Sequence, residues 1–347
     1  MICWALMASL CAANDGVRYF YTGHKDGSES LFNPVNLILD GSYDIIQLEG
    51  QSRNMFDYPY RYASGQVFQN LRDPITPISH YGWGNFFKNE ILPLGFNDRN
   101  SQGWPNYNLH LIGGGMTYRA LCEWYDEYGF PVPVAFSLVT VGAYHIMNEI
   151  IENGYYTGDN VDPIADIYVF DIGGIILFSF DNVNRFFSRT LNLADWSLQP
   201  SFSLRDGTLR NNGQYFSIKW KFPNSAHWHL FYYFGLDGAI GTSYKWDDGT
   251  ALSGGFGLRS VRRETVNAAT NQQTVSLTWN LGFFYDHDNS LLASLFFNGT
   301  FKDAVILNVY PGVFSIAEFS PGVWLALERD GSPSFGLTTR WTPGIAF

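Results

Sequence analysis

The chain has 347 residues, of which 15% are charged and 18% aromatic, and its formal net charge at pH 7 is −11. Soluble globular proteins carry about 25% charged residues, so this chain has few charges with which to cover a water-facing surface. The acidic balance excludes nucleic acid as a partner, because a phosphate-binding face needs clustered lysine and arginine.

Residues 1–13 are nearly all apolar or small and end in a Cys-Ala-Ala run. Small residues at such a place are typical of signal-peptide cleavage, so we predict a secretory signal peptide over 1–13, although the usual basic start is missing. Cys3 and Cys11 fall within this leader. Cys122 is then the one cysteine of the remaining chain, which excludes a disulfide framework inside it.

Residues 14–105 are predicted to be an irregular N-terminal segment, because Pro and Gly recur there between short apolar pieces. Residues 106–190 follow as a helical module. Its helices are predicted over Met116–Tyr128, Val134–Asn153 and Pro163–Phe180. Proline precedes the second helix and Asn-Gly ends it, as helix boundaries prefer. A Gly-Gly pair in the third helix would permit close helix contact.

Ionisable side chains recur on these otherwise apolar helices. His145, Glu149 and Glu152 are spaced i, i+4 and i+7 on the second helix, so they share one face. Asp162 and Asp166 repeat the i, i+4 spacing at the start of the third helix. Charged groups are costly to bury, so such residues mark either a site or a network of paired polar groups.

Three interpretations of this cluster remain open from the sequence. The first is general acid/base catalysis, for which the candidate residues are His110, Glu149 and Asp166. The second is a divalent metal, the one cofactor that the pattern suggests, with His145 and Glu149 as ligands. The third is a structural polar network that locks the helices together. Its further members would be Tyr118, Glu152 and Asp162.

From residue 191 to residue 347 the pattern is that of β-strands. In the segment that ends the chain, Phe335, Leu337 and Trp341 share one face, and the other face is small and polar. The stretches Thr274–Asp286 and Phe319–Arg329 repeat the alternation. Turn signals lie between such stretches, at Pro223–Ser225, Asp247–Gly249, Asp288–Ser290 and Asp330–Ser332. We predict eight to ten antiparallel strands.

The composition of the two strand faces distinguishes a membrane barrel from a soluble β-sandwich. A soluble domain would place charged residues opposite its aromatic face, whereas here Gly, Ser, Thr and Asn predominate there. Together with a slightly negative mean hydropathy and no evident spanning helix, this favours a transmembrane β-barrel. The terminal Phe347 also resembles the usual last residue of bacterial outer-membrane barrels.

The central residues, in their order, resemble an uncharacterised, VanZ-like family of envelope proteins, in which a short helical module is fused to an outer-membrane barrel in some members. The residues that carry this resemblance are His110, Gly113, Gly114, Gly115, Tyr118, Asn148, Glu149, Glu152, Asp162, Asp166, Gly173 and Gly174. The chain departs from the family at Asn148, where a Trp often precedes the Glu. The resemblance implies an envelope location and no particular activity.

The sequence therefore predicts a membrane β-barrel with an N-terminal α-helical module, located in the bacterial outer membrane. The first functional hypothesis is a structural or partner-binding protein whose helical module plugs or caps the barrel. Its partners would be outer-membrane lipids and another envelope protein. The alternative is a hydrolase or acyltransferase acting on lipid or lipopolysaccharide through the His/carboxylate cluster. The third hypothesis is a narrow channel, which a barrel filled by its own side chains would disfavour.

Overall fold

A computed structural model describes residues 17–92, 105–267, 272–317, 319–340 and 342–347, with the side chains of 265–267, 272, 273 and 342 left aside. The predicted signal peptide, 1–13, and Trp341 lie outside the described residues. The described chain combines a set of N-terminal helices with one large, mostly antiparallel sheet.

Helices occupy the first half of the described chain, including the segment predicted to be irregular. Asn33 caps the first of them, since its side-chain oxygen accepts hydrogen bonds from the backbone N–H groups of Val35 and Asn36. The α-helices are α1 (Pro34–Ser42), α2 (Tyr60–Arg72), α3 (Ile75–Tyr81), α4 (Trp83–Phe86), α5 (Gly115–Glu127), α6 (Pro133–Asn153), α7 (Asp162–Phe178) and α8 (Asp181–Thr190). Short 3-10 helices cover Ser28–Leu31, Asp44–Gln47 and Met55–Asp57, and π-helical turns cover Phe87–Ile91 and Pro105–Gly114.

One helix, α6, is long and apolar enough to cross a bilayer, which differs from the expectation that the sequence contains no such helix. Half of its apolar window is buried inside the protein, as in the core helix of a soluble domain. Taken together, α7 and α8 are also long and apolar enough to cross a bilayer, but the two helices meet at an angle of 84°. Such helices do not by themselves indicate a membrane span.

The sheet in the described residues contains thirteen strands, not the eight to ten that were predicted. They are β1 (Ala194–Asp195), β2 (Ser201–Ser203), β3 (Leu209–Arg210), β4 (Phe216–Lys221), β5 (Trp228–Phe234), β6 (Asp237–Lys245), β7 (Thr250–Asn267), β8 (Gln272–His287), β9 (Ser290–Asn298), β10 (Asp303–Val309), β11 (Gly322–Glu328), β12 (Pro333–Thr339) and β13 (Thr342–Ala346). The three additional members, β1 to β3, have two or three residues each, too few to show alternation in a sequence. All four predicted turns lie between consecutive strands.

The strand order is β1-β4-β5-β6-β7-β8-β9-β10-β11-β12-β13-β2-β3, so β4 to β13 form an up-and-down meander. The segment 194–203 touches both ends of this meander. Its first part pairs with β4, and its last part pairs in parallel with β13. The pairing does not complete a closed ring, but the two edges of the meander meet the same stretch of chain.

The end of the chain is a hairpin, where the sequence predicted one continuous strand. β12 and β13 pair with Leu337 opposite Ile345, and the backbone N–H of Phe335 bonds to the carbonyl of Phe347. Opposite residues of an antiparallel pair point to the same face of the sheet. Because Leu337 and Ile345 are both odd-numbered, as are Phe335 and Phe347, the two-residue alternation keeps its phase from β12 to the end of β13 and conceals the hairpin in the sequence.

The outer face of the sheet has the exposed apolar side chains predicted for it, whereas the inner face combines the predicted polar residues with large aromatic ones such as Phe284 and Trp324. Among outward residues, Trp279 is 47% exposed and Leu325 is 41% exposed, and large apolar side chains share that face across β4 to β13. The inner face is buried and largely polar. Its buried polar members include Lys219, Asp237, Ser243, Ser253, Arg259, Thr278, Asn280, Asp286, Ser294, Asn308 and Thr338.

Charged pairs join strands across the inner face. The Nζ of Lys219 on β4 lies 2.5 Å from the Oδ1 of Asp286 on β8, although β5, β6 and β7 separate these strands in the sheet. Arg259 and Asp237 form a second buried pair at 2.7 Å. A contact between strands so far apart in order requires a strongly curled sheet.

The N-terminal helices contact the curled sheet at its seam and on its outer wall. At the seam, Asp40 of α1 accepts a hydrogen bond from the backbone N–H of Gly213. On the wall, Phe216 and Phe234 of β4 and β5 are buried in one apolar cluster with α5, and Gly113 lies against Phe216. The helical module therefore packs beside the outer face of the sheet.

Candidate functional site

The candidate site is built around His110, which lies on the π-helical turn that leads into α5. Two close approaches at glycine place this turn and the start of α5 against α7. A Cβ atom added to Gly174 would lie 2.5 Å from the carbonyl oxygen of Leu111, and one added to Gly115 would lie 2.4 Å from the Phe178 ring. Only glycine permits such an approach, so Gly115 and Gly174 set the distance between α5 and α7.

A π-helical stretch in α7 brings two carboxylates to His110. Asp166 and Asp171 are the first and last residues of this stretch. In a regular α-helix residues five apart point about 140° away from each other, whereas a π-helical turn bonds residue i to i+5 and aligns them. The Oδ1 of Asp171 lies 3.0 Å from His110 Nδ1, and the Oδ2 of Asp166 lies 3.6 Å from His110 Nε2.

The long helix α6 supplies the other members of the cluster. His145 Nδ1 lies 3.2 Å from the same Asp171 oxygen, and the His110 and His145 rings are 5.1 Å apart. Glu149, one turn further along α6, offers a carboxylate oxygen within 4.8 Å of those of His110 and Asp166. The five side chains are 3% to 9% exposed, so they form one enclosed group.

The remaining predicted residues lie at the edge of the cluster or away from it. Glu152 forms an ion pair with Arg263 of β7 at 3.0 Å, which fastens α6 to the sheet. Asp162 is half-buried at the start of α7, and its backbone N–H donates a hydrogen bond to the side-chain oxygen of Asn160. Tyr118 is fully buried in the apolar cluster around α5. These three residues support the helices around the site.

Two members of the polar group were not among the candidates from the sequence. Asp171 is the central acceptor for both histidines, but α-helical spacing placed it away from Asp166. Asp44 accepts a hydrogen bond from the Asn148 side chain at 3.1 Å, and its position in a 3-10 helix gave no periodic signal. A search for acidic residues five apart would have detected Asp171.

Electrostatics at the site favour positive charge. Burial lowers the pKa of His110, but the charge of Asp171 and its hydrogen bond outweigh burial and raise that pKa to about 9. Burial also raises the pKa of Asp44 to about 7, with a further contribution from the charge of Glu152. A histidine held cationic by its neighbours indicates an excess of carboxylate in an enclosed space.

The arrangement supports proton transfer, cation binding or a structural network. The His110–Asp171 contact is the pairing that orients a general base. Against a hydrolase or acyltransferase stands the burial of every member, since a lipid substrate must reach the reacting atoms. The catalytic assignment of His110, Glu149 and Asp166 stays a prediction.

Replacing Gly174 by alanine should separate the two helices that carry His110 and Asp171. The new methyl group would overlap the Leu111 carbonyl, and overpacking of this kind costs about 1–3 kcal/mol. Thermal unfolding followed by circular dichroism should show a lower midpoint for Gly174→Ala. Gly142→Ala on α6 is the control, because nothing lies within 4 Å of its added Cβ. A midpoint for Gly174→Ala that equals the control would contradict the close packing.

Comparison of the chain with family models, with curated proteins and with solved structures finds no match.

Proposed function

We propose that the protein is an integral β-barrel protein of the bacterial outer membrane, with a structural role for its helical module. The observation that carries the proposal is the inverted burial of the strands. Large apolar side chains face outward, while lysine, arginine and aspartate lie inside. In water, this arrangement would expose a large apolar surface to solvent, which is unfavourable. In a membrane, the same apolar surface faces hydrocarbon, as in transmembrane barrels.

The distribution of outward tryptophans supports a membrane setting. Trp220, Trp228 and Trp246 are about half exposed near one end of the strands, and Trp279 lies further along the sheet, opposite Leu258 of β7. Aromatic residues of this kind form girdles at the two membrane–water interfaces. Between these levels the outward positions of β6 and β7 carry Ile240, Leu252 and Phe256.

The interior supports a filled barrel more than a channel. Trp196, Tyr215, Phe231, Phe284 and Trp324 occupy the inner face and are almost fully buried. The cavity described beside Arg259 and Trp324 has a volume of about 30 Å³, which has room for only a few water molecules. Barrels of this size are filled by their own side chains.

The helical module completes the wall in this proposal, which revises its predicted role as a plug. Its glycine-rich turn packs on the outward Phe216, and Tyr232 of β5 bonds to Asn108 at 3.4 Å. Apolar side chains of α6 to α8 remain exposed away from that contact. They include Phe136, Val139, Ile172, Ile176 and Phe186. We infer that these residues meet lipid beside the barrel, while the segment 27–54 fastens the seam.

Fractionation of a Gram-negative host that expresses the full chain tests the proposal. The protein should sediment with outer membranes, resist extraction by carbonate or urea, and require detergent for release. An unheated sample should migrate faster on a denaturing gel than a heated one, because a folded barrel stays compact. Recovery of a monodisperse protein from detergent-free buffer would contradict the proposal.

A further inference from the structure

We propose that His110, Glu149 and Asp166 bind a divalent first-row transition-metal ion such as Zn²⁺, with Asp171 orienting the histidine. This inference concerns the helical module and does not depend on the membrane proposal. It selects one of the open interpretations of the cluster and replaces His145 by His110 as the histidine ligand.

The separation of the candidate ligand atoms fits a shared ion. One atom each from His110, Glu149 and Asp166 lies within 4.8 Å of the other two. The 3.6 Å between His110 Nε2 and Asp166 Oδ2 is too long for a hydrogen bond. It is close to the distance of about 3.4 Å that separates two ligands of a tetrahedral zinc ion.

The second ring nitrogen of His110 has the partner that metal-binding histidines use. Its Nδ1 lies 3.0 Å from Asp171 Oδ1, and Asp171 is 6% exposed. If Nδ1 donates its proton to this carboxylate and the ion displaces the proton of Nε2, the Nε2 lone pair lies on the side of Glu149 and Asp166. Carboxylates that accept from the far nitrogen of a ligand histidine fix its tautomer and raise its basicity.

The charge balance of the enclosed group also calls for a cation. Glu149, Asp166 and Asp171 are at least nine-tenths buried, and Arg263, on the strand beside α6, is paired with Glu152. Among the described residues, Asp166 Oδ1 has no hydrogen-bond partner. An uncompensated buried carboxylate is strongly unfavourable, whereas a dication held by two carboxylates and one imidazole would offset their charge.

The mixed ligand set decides the class of ion. Imidazole with carboxylate suits zinc and its neighbours in the first transition row, whereas Mg²⁺ and Ca²⁺ prefer oxygen ligands alone. His145 lies outside the ligand set, because its Nδ1 contacts Asp171 Oδ1 at 3.2 Å. Its Nε2 faces Gly114, where an added Cβ would be 3.0 Å away. We assign it a positioning role through Asp171.

Metal content measured by mass spectrometry tests the site. The full-length protein, stripped with a chelator and dialysed against Zn²⁺, should retain one ion per chain. His110→Gln and Asp166→Asn should lose it, and Asp171→Asn should weaken binding about 10–100-fold. His80→Gln is the matched control, because His80 pairs with Asp159 on the surface at 2.6 Å, away from the cluster. It should bind as the parent protein does.

Two outcomes would overturn the proposal. One is a parent protein that retains Zn²⁺, Mn²⁺ and Fe²⁺ no better than the His110→Gln variant does. The other is loss of the ion in His145→Gln with retention in Asp166→Asn, which would place it between the two histidines. X-ray absorption of the zinc-loaded parent protein provides a test without variants. It should show one imidazole among oxygen ligands at about 2.0 Å, and two imidazoles or none would contradict the assignment.

Discussion

Replacing Asp286 by leucine should strongly destabilise the sheet. The substitution keeps the branched shape of the side chain but leaves the Lys219 ammonium without its partner, and Lys219 is 2% exposed. Removing one member of a buried ion pair costs about 3–5 kcal/mol. We expect Asp286→Leu to lower the urea midpoint of the detergent-solubilised protein by a corresponding amount, measured by its unheated gel mobility.

The double variant Lys219→Met/Asp286→Leu is the control for this experiment. It removes both charges and fills the same space with apolar groups, so most of the lost stability should return. Trp196 lies over the Lys219 ammonium at 5.3 Å and would pack equally well against methionine. If the single variant is as stable as the double variant, the lysine reaches water and the interior is not sealed there.

The strands could be predicted from two-residue alternation because one face of the sheet is apolar and exposed and the other is mostly polar and buried. Leu337 and Thr338 differ in polarity and lie on opposite faces, and a soluble core would have produced the same alternation with the directions exchanged. The hairpin formed by β12 and β13 could not be read from the sequence, since pairing Leu337 with Ile345 leaves the alternation unbroken. Likewise β1 to β3 depend on contacts with distant strands, which no local pattern records.

The candidate site was predictable where its residues follow regular helical spacing. His145 and Glu149 share a face of α6 as expected, and both join the cluster. Asp171 was left out of the candidates because the π-helical stretch in α7 changes which residues align. That stretch forms where α7 packs against the turn carrying His110, so it depends on tertiary contact. The sequence therefore named four of the five clustered residues, His110, His145, Glu149 and Asp166, and left out Asp171.

In both halves of the molecule, a buried charged group needs a partner of opposite charge. Inside the sheet the partner is an opposite side chain, as Asp237 is for Arg259. In the helical module the carboxylates outnumber the cations, and the proposed metal ion supplies the difference. Under the proposed membrane location, the same rule accounts for the scarcity of charge on the outer wall, since hydrocarbon offers no partner at all.

Replacing Leu325 by arginine should therefore prevent or strongly weaken insertion of the protein. Leu325 lies in the middle of β11, faces outward, and is flanked by Leu307 and Phe335 on the neighbouring strands. An arginine on the lipid face near the bilayer midplane costs about 2–4 kcal/mol. We expect a smaller heat-modifiable fraction and a lower urea midpoint for Leu325→Arg in lipid bilayers.

Leu204→Arg is the matched control, because the change is identical and Leu204 is 79% exposed in a turn beside Arg205 and Asp206. In water, exchanging an exposed leucine for arginine is close to neutral at either position. A soluble protein would thus tolerate both variants equally, whereas a barrel in lipid should tolerate only Leu204→Arg. Equal stability of the two variants would show that the outer face does not contact hydrocarbon, which would contradict the proposed membrane location.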